Sequence, residues 1–234
     1  MADKGIIFSA PMVRALLDGR KSQTRRVLSS AFASDVSVEW HSVPTPGFYR
    51  TDNFGSLDYV PIKVPYAPGD RLYVREAHAL VPVTAYRMSD GVQQAVNPDD
   101  RDRAAIYREG WDRSTGGLRW RPSIHMPRWA SRLTLIVTDV RVQRLQWISE
   151  ADAWAEGCKR GDPDDVGGFF PADEPHPKGG FVGWDCARDW YADLWDSLHG
   201  PEAWEANPWV AAYTFTAHRC NIDDMPKPET HNER

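Results

Sequence analysis

No run of about 18 apolar residues occurs in the chain, so the sequence offers no candidate membrane span. The opening residues, Met1-Ala2-Asp3-Lys4-Gly5, lack the apolar core of a secretory signal. Cysteine is scarce: Cys158, Cys186 and Cys220 are odd in number and far apart. That argues against a disulfide framework and points to a reducing, cytoplasmic setting. Several chemical signatures are missing too. There is no GxxxxGK[ST] loop, no GxGxxG after a strand, no GxSxG, no HExxH and no CxxC pair. Cys158, His176 and Cys186 match no metal-site spacing, so neither metal nor cofactor is expected.

What is present is a globular composition. Of 234 residues, 41% are apolar and 26% charged, with a mean hydropathy of -0.55. Such a chain buries a substantial core without staples, and one enlarged domain is the expectation. The net charge of -5 conceals an asymmetry. Residues 1–148 carry 21 Lys and Arg against 15 Asp and Glu, whereas residues 149–234 carry 7 against 18. From Arg101 to Arg144 there are ten Arg and no Lys. Guanidinium groups stack on bases and grip phosphates in bidentate fashion, but a solvated basic face has the same composition. Eleven tryptophans are an excess; most are expected in the core, with one or two lining a pocket.

Hydrophobic spacing predicts a short helix from Ala10 to Asp18, with Pro11 in its first turn and Gly19 at its stop. Lys21–Leu28 then reads as extended. Residues 29–68 read as loops and short strands broken by prolines. Arg71–Glu76 alternates as a strand, and Arg132–Leu145 more strongly, with Thr138-Asp139 as a bend. Ser149 caps a helix that Gly157 ends, Asp152 standing in a variant capping box. Ala187–Leu198 is an amphipathic helix with Trp190, Tyr191, Leu194, Trp195 and Leu198 on one side, and Trp209–Ala217 is the last strand. Polar stretches at 80–118 and 158–182 read as loop insertions, the first holding one short strand at Ala104–Tyr107. Asn221–Arg234 reads as a disordered tail. Strands and helices do not alternate regularly, which disfavours a doubly wound parallel sheet. An α+β fold, a small barrel or bent mixed sheet with peripheral helices, fits better.

The segment richest in chemistry is Gly19-Arg20-Lys21-Ser22-Gln23-Thr24-Arg25-Arg26. Extended, it presents Lys21, Gln23 and Arg25 on one face and Thr24 and Arg26 on the other. Lys21 can hold a phosphate or a developing oxyanion. Thr24 is a nucleophile if a base stands near. A basic surface turn is the plain alternative.

Gly19, Lys21 and Arg26 match the GxKxxExR motif of ASCH domains, members of the PUA-like β-barrel superfamily, with Thr24 in the place of the Glu. Thr at that place resembles the bacterial ASCH-type N4-acetylcytidine amidohydrolases. Those enzymes carry a catalytic Glu six residues beyond a Thr/Ser-Glu pair; here Ser149-Glu150 is followed at that offset by Glu156. The resemblance therefore implies Lys21, Thr24 and Glu156 as a catalytic trio. A likeness over more of the chain joins FSAPMVRALLDGRK, PYAPGDRLYVRE, RPSIHMPRWASR and NPWVAAYTF to phage and prophage ASCH-like "morphogenetic" proteins. Together these imply a single ASCH/PUA-like domain over 1–220, enlarged by insertions near 29–66, 80–118 and 158–182. The implied function is cleavage of the amide of an N4-acylated cytosine nucleoside or related modified base. The alternatives are a non-catalytic RNA- or modified-nucleotide-binding module, or a ribonuclease.

Substrate contacts are expected from Gly19, Arg26 and Glu76, the last at the end of a strand that borders the cleft in ASCH-like barrels. Trp120, His125 and Trp129, set among rigid prolines, can wall a flat base. Glu76 can equally pair with a basic neighbour, and the aromatic loop can equally be packing. The expected partner is a nucleoside-like small molecule or RNA, not a membrane.

Overall fold

The computed structural model describes residues 3–28, 36–41, 47–52, 60–114, 117–163, 169–171 and 184–225. Its elements run β1 (Asp3–Ile7), α1 (Ala10–Leu17), β2 (Gln23–Val27), β3 (Val36–His41), β4 (Gly47–Asp52), β5 (Val60–Pro61), β6 (Arg71–Arg75) and β7 (His78–Pro82). They continue with β8 (Gln94–Val96), β9 (Arg103–Tyr107), β10 (Thr134–Arg144), α2 (Glu150–Ala155), β11 (Arg160–Pro163), β12 (Phe169–Pro171), α3 (Ala187–His199) and β13 (Trp209–His218). This is a mixed α+β chain in which strands dominate. Among the described residues no closed barrel of pairings occurs, and no helix is long and apolar enough to cross a membrane.

The chain divides into two compact units, each assembled from separate segments. Unit 1 takes Met1–Asp18, Gly69–Ile136 and Thr216–Arg234, and unit 2 takes Gly19–Pro68 and Val137–Phe215.

In unit 1, β1 lies parallel to β6, and the start of β10 runs antiparallel to β6 through Leu135 opposite Leu72. Ile6, Leu72, Val74, Leu133 and Leu135 are buried. α1 forms where expected: Pro11 enters the first turn, and Met12, Val13, Ala15 and Leu16 turn inward. The 80–118 stretch is more ordered than its polarity suggested. β7, β9 and β8 pair in that order as an antiparallel sheet. Its core is Ala79, Val81, Ala104 and Ile106, flanked by Tyr86, Trp111 and Trp120. Buried Ala79 in β7 and the half-buried, partly polar β8 give a weak hydrophobic pattern, which the sequence shows as an insertion. The start of the supposed disordered tail is also packed. The Asn221 amide donates to the carbonyls of Arg128, Trp129 and Ser131 at 3.0, 3.0 and 2.7 Å. Ile222 is fully buried, and Asp223 pairs with Arg128. A polar side chain satisfied by backbone carbonyls looks, in sequence, like a solvated one. Residues 226–234 lie outside the described residues.

In unit 2, β13 pairs antiparallel with β2, placing Tyr213 opposite Thr24. β3, β4 and β5 form an antiparallel sheet, in keeping with the short strands read there. β11 and β12 pair within the supposed 158–182 loop. The core collects Leu145, Ile148, Ala153, Cys158, Trp190, Tyr191, Trp195 and Val210. Leu198, placed on the inner face by its period, is exposed, since the last turn of α3 runs past this cluster. The bend at Thr138-Asp139 does not interrupt β10, an unbroken strand of 11 residues; β-branched Thr138 and Val140 hold the pleat on either side.

Candidate functional site

Two short elements of unit 2 build the candidate site. The Ser149 hydroxyl accepts a hydrogen bond from the Asp152 amide at 3.1 Å and starts α2. Gly157, at φ +108°, takes the chain out after Glu156. Asp152 and Glu156 stand four residues apart, one helical turn, so both carboxylates reach the same side. β2 approaches from the other direction. Ser22 donates its amide to the Ala155 carbonyl at 2.8 Å, and Lys21 and Glu156 form an isolated antiparallel bridge.

Strand alternation then points Lys21, Gln23 and Arg25 at the two acids. Lys21 Nζ donates to Glu156 Oε2 and to the Glu156 carbonyl, each at 2.7 Å. Arg25 donates through Nη1 to Glu156 Oε1 at 2.7 Å and through Nη2 to Asp152 Oδ2 at 3.2 Å. Gln23 Nε2 donates to Asp152 Oδ1 at 2.8 Å. Arg141, on β10, reaches both Asp152 oxygens at 3.0 and 3.1 Å. The Tyr191 ring of α3 lies 5.8 Å from the Arg25 guanidinium carbon. Lys21, Arg25 and Glu156 are almost wholly buried, their side chains 1%, 0% and 3% exposed. The Nε of Arg25 is also buried and has no hydrogen-bond partner among the described residues.

The electrostatics follow from this arrangement. Burial lowers the Lys21 ammonium below its ordinary 10.5; Glu156 opposes that, while Arg26 and Arg25 add to it. Burial alone raises Glu156, but the charges of Lys21 and Arg25 and their hydrogen bonds outweigh it and hold the carboxyl below 4.5. Asp152 is likewise raised by burial and brought below 3.8 by Arg141, Gln23 and Arg25. Burial and the neighbouring Glu156 push the Tyr191 hydroxyl well above 10.0.

The structure thus brings Lys21 and Glu156 into contact. It does not join Thr24 to them. Thr24 lies one residue along β2, on the face opposite Lys21, Gln23 and Arg25, and is 3% exposed. Among the described residues no hydrogen bond links its hydroxyl to Lys21 or Glu156. Gly19 follows α1 at φ +73° with open space where a Cβ would sit. Arg26 sits half-buried in the ladder opposite Ala211.

The remaining candidates belong to unit 1. Glu76 is buried and held by Arg132, with Nε to Oε1 at 2.8 Å and Nη2 to Oε2 at 2.9 Å. Burial raises its pKa, and Arg132 opposes this. Trp120 packs edge-on against Trp111 at 5.7 Å, with the Arg108 guanidinium 5.7 Å from its ring. Trp129 is half-buried against the cluster of Ala105, Tyr107, Met126 and Ala130. His125 is exposed in the short turn Ser123–His125. No group of three metal-ligating side chains occurs among the described residues.

Sequence reasoning missed Asp152, Arg141 and Tyr191 as members of the buried cluster. The i, i+4 spacing of Asp152 and Glu156 was a usable signal. Arg141 and Tyr191 arrive from β10 and α3 and had none. Set against protein-family models, curated proteins and solved structures, the chain matches none.

Proposed function

We propose that the chain is an ASCH-like hydrolase with PUA-like architecture that cleaves the amide of an N4-acylated cytosine nucleoside or related modified base. One observation carries this reading: Lys21 and Glu156, 135 residues apart, meet at 2.7 Å. These are the two positions that the motif resemblance pairs as catalytic. In the proposed reaction an oxygen nucleophile adds to the acyl carbon, and the C–N4 bond breaks. The amine leaves with a proton passed through Glu156, while Lys21 stabilises the oxyanion. The acyl group passes to the nucleophile's oxygen as an ester, and a water activated by Glu156 then cleaves that ester, so the products are a carboxylic acid and the free cytosine amine. The resemblance implies Thr24 as that nucleophile; its side chain lies on the opposite face of β2, so the role requires a local change of the β2 backbone and not a side-chain rotation alone.

The place of Thr24 on the other face of β2 favours a second reading, a non-catalytic RNA- or modified-nucleotide-binding module. There the Lys21–Glu156–Arg25 cluster only locks β2 to α2. An absorbance assay on N4-acetylcytidine separates the two. The hydrolase reading expects loss of the acetylcytidine spectrum with wild type, and loss of turnover in Lys21→Met and Thr24→Ala. A folded wild-type protein that turns over no N4-acylcytidine at high enzyme concentration would leave the binding module. RNA affinity that falls steeply with salt is then expected, through counterion release.

A further inference from the structure

The sheet β7-β9-β8 of unit 1 has two edges, and they differ. At the β7 edge, His78 and Arg121 exchange backbone hydrogen bonds at 3.2 and 2.7 Å. At the β8 edge the register fixes which groups face outward. Asn97 donates its amide to the Arg103 carbonyl at 2.9 Å, in step with Ala95 opposite Ala105. Hydrogen-bonded pairs alternate along an antiparallel ladder. Asn97 and Ala95 therefore bond to β9, and Gln94 and Val96 turn their N–H and C=O groups away from it. Among the described residues nothing takes up those outward groups.

This edge borders an open groove of about 480 Å³, with Trp129 and the segment 219–224 across from it. The side chains of Gln94 and Val96 share a sheet face with Ile106 and Ala104, opposite the face of Ala95 on which Trp129 packs. What these two residues present to the groove is thus backbone: donors and acceptors repeating roughly every 7 Å. An extended peptide answers that pattern with its own backbone, which is how a strand adds to a sheet edge. Trp129, half-buried, gives one side chain of such a strand an apolar wall. At the far rim Arg128 takes up Asp223 at 2.5 Å, and Arg219 donates to the Leu17 carbonyl. Asp224 is exposed and has no ion pair among the described residues, so the rim selects a basic residue over an acidic one.

We propose that β8 is a docking edge for an extended peptide segment of a partner protein. The segment adds as a strand beside Gln94–Val96, lays an apolar side chain on Trp129 and sets a basic one against Asp224. The proposal holds whether or not Lys21 and Glu156 catalyse.

The test follows backbone amides of the isotope-labelled full chain by hydrogen exchange, read residue by residue by NMR. In the free chain Gln94 and Val96 are expected to exchange fast and Ala95 slowly, since only Ala95 is bonded to β9. The probe is the peptide acetyl-Thr-Val-Thr-Val-Lys-amide. At saturation it is expected to slow Gln94 and Val96 at least about fivefold and to leave Ala95 unchanged. The same peptide N-methylated at every residue donates no backbone hydrogen bond and is expected to protect neither. Val96→Pro removes an outward N–H and leaves the β9 ladder intact, so it should fold and bind the probe about fivefold more weakly. Exchanging the probe's Lys for Glu should weaken binding about threefold, and Asp224→Lys should reverse that preference. Protected Gln94 and Val96 amides in the free chain overturn the proposal. So does absence of binding at millimolar peptide, equal protection by the N-methylated peptide, or undiminished binding to folded Val96→Pro. A charge preference that Asp224→Lys leaves unchanged overturns the contact with Asp224. Should Val96→Pro fail to fold, the N-methylated peptide decides.

Discussion

Replacing Glu156 by Gln leaves the buried Lys21 charge answered only by a neutral amide and Arg25 with Asp152 as its one carboxylate partner. Breaking a buried pair from one side costs about 3–5 kcal/mol, far more than an exposed pair. Chemical denaturation of Glu156→Gln is therefore expected to show a loss of that size, with Lys21→Met milder because Arg25 still answers Glu156. The same carboxylates set an acid limit. Glu156 and Asp152 both titrate lower in the folded chain than their ordinary values of 4.5 and 3.8. The unfolded chain thus binds more protons at acid pH. Their contribution is complete above those ordinary values and is lost as pH falls through the lower folded ones. Melting temperature measured from about pH 2 to pH 7 should fall on the acid side, and Glu156→Gln should flatten that slope. A slope unchanged by the substitution would place the acid sensitivity elsewhere, in groups such as Asp3, which Arg71 and Arg128 hold at about 2.

At the scale of the element, α2 is only 6 residues long and owes its place to its ends. An isolated helix of that length does not persist in water. Ser149→Ala is expected to cost about 1 kcal/mol and Ser149→Asp much less, since Asp also caps. If Lys21 and Glu156 act together in catalysis, Ser149→Ala should lower turnover as well, because the cap fixes the helix that positions Glu156. The stop of α1 is tested in the same way. Gly19 sits at φ +73° with nothing near its missing Cβ, so Gly19→Ala meets only backbone strain. A loss of about 1–2 kcal/mol by thermal or chemical denaturation is the expected result. β2 was legible in advance to the level of its faces: Lys21, Gln23 and Arg25 do share one side. The strands β7 and β8 were not legible. β7 carries buried Ala79 beside His78, and β8 reads Gln94-Ala95-Val96, so neither shows the alternation of large apolar residues that marks a half-buried strand.

At the scale of the whole molecule, both compact units are built from segments distant in sequence, and the segment after β13 returns to unit 1. A chain ended after Cys220 loses the buried Ile222 and the three Asn221 hydrogen bonds. Removal of one large buried aliphatic side chain and of the hydrogen bonds to three carbonyls together make a loss of about 3–5 kcal/mol the expectation. A chain ended after Met225 keeps those contacts and is the control, and their melting temperatures give the comparison.

By itself the sequence determined the α+β class, α1, α2 and α3, β6, β10 and β13, and the side of β2 that carries Lys21. These are local matters: side-chain period, Pro and Gly placement, and a capping hydroxyl act within a few residues of themselves. It also pointed to Lys21 and Glu156 together, through a motif resemblance. Only the tertiary structure decided that Glu156 serves two cations, that Arg141 and Tyr191 join the cluster, and that Asn221 is an anchor. Only it decided that Glu76 answers Arg132. The reason is physical: burial and the pairing of charges depend on which distant segments meet, and no local pattern records that meeting.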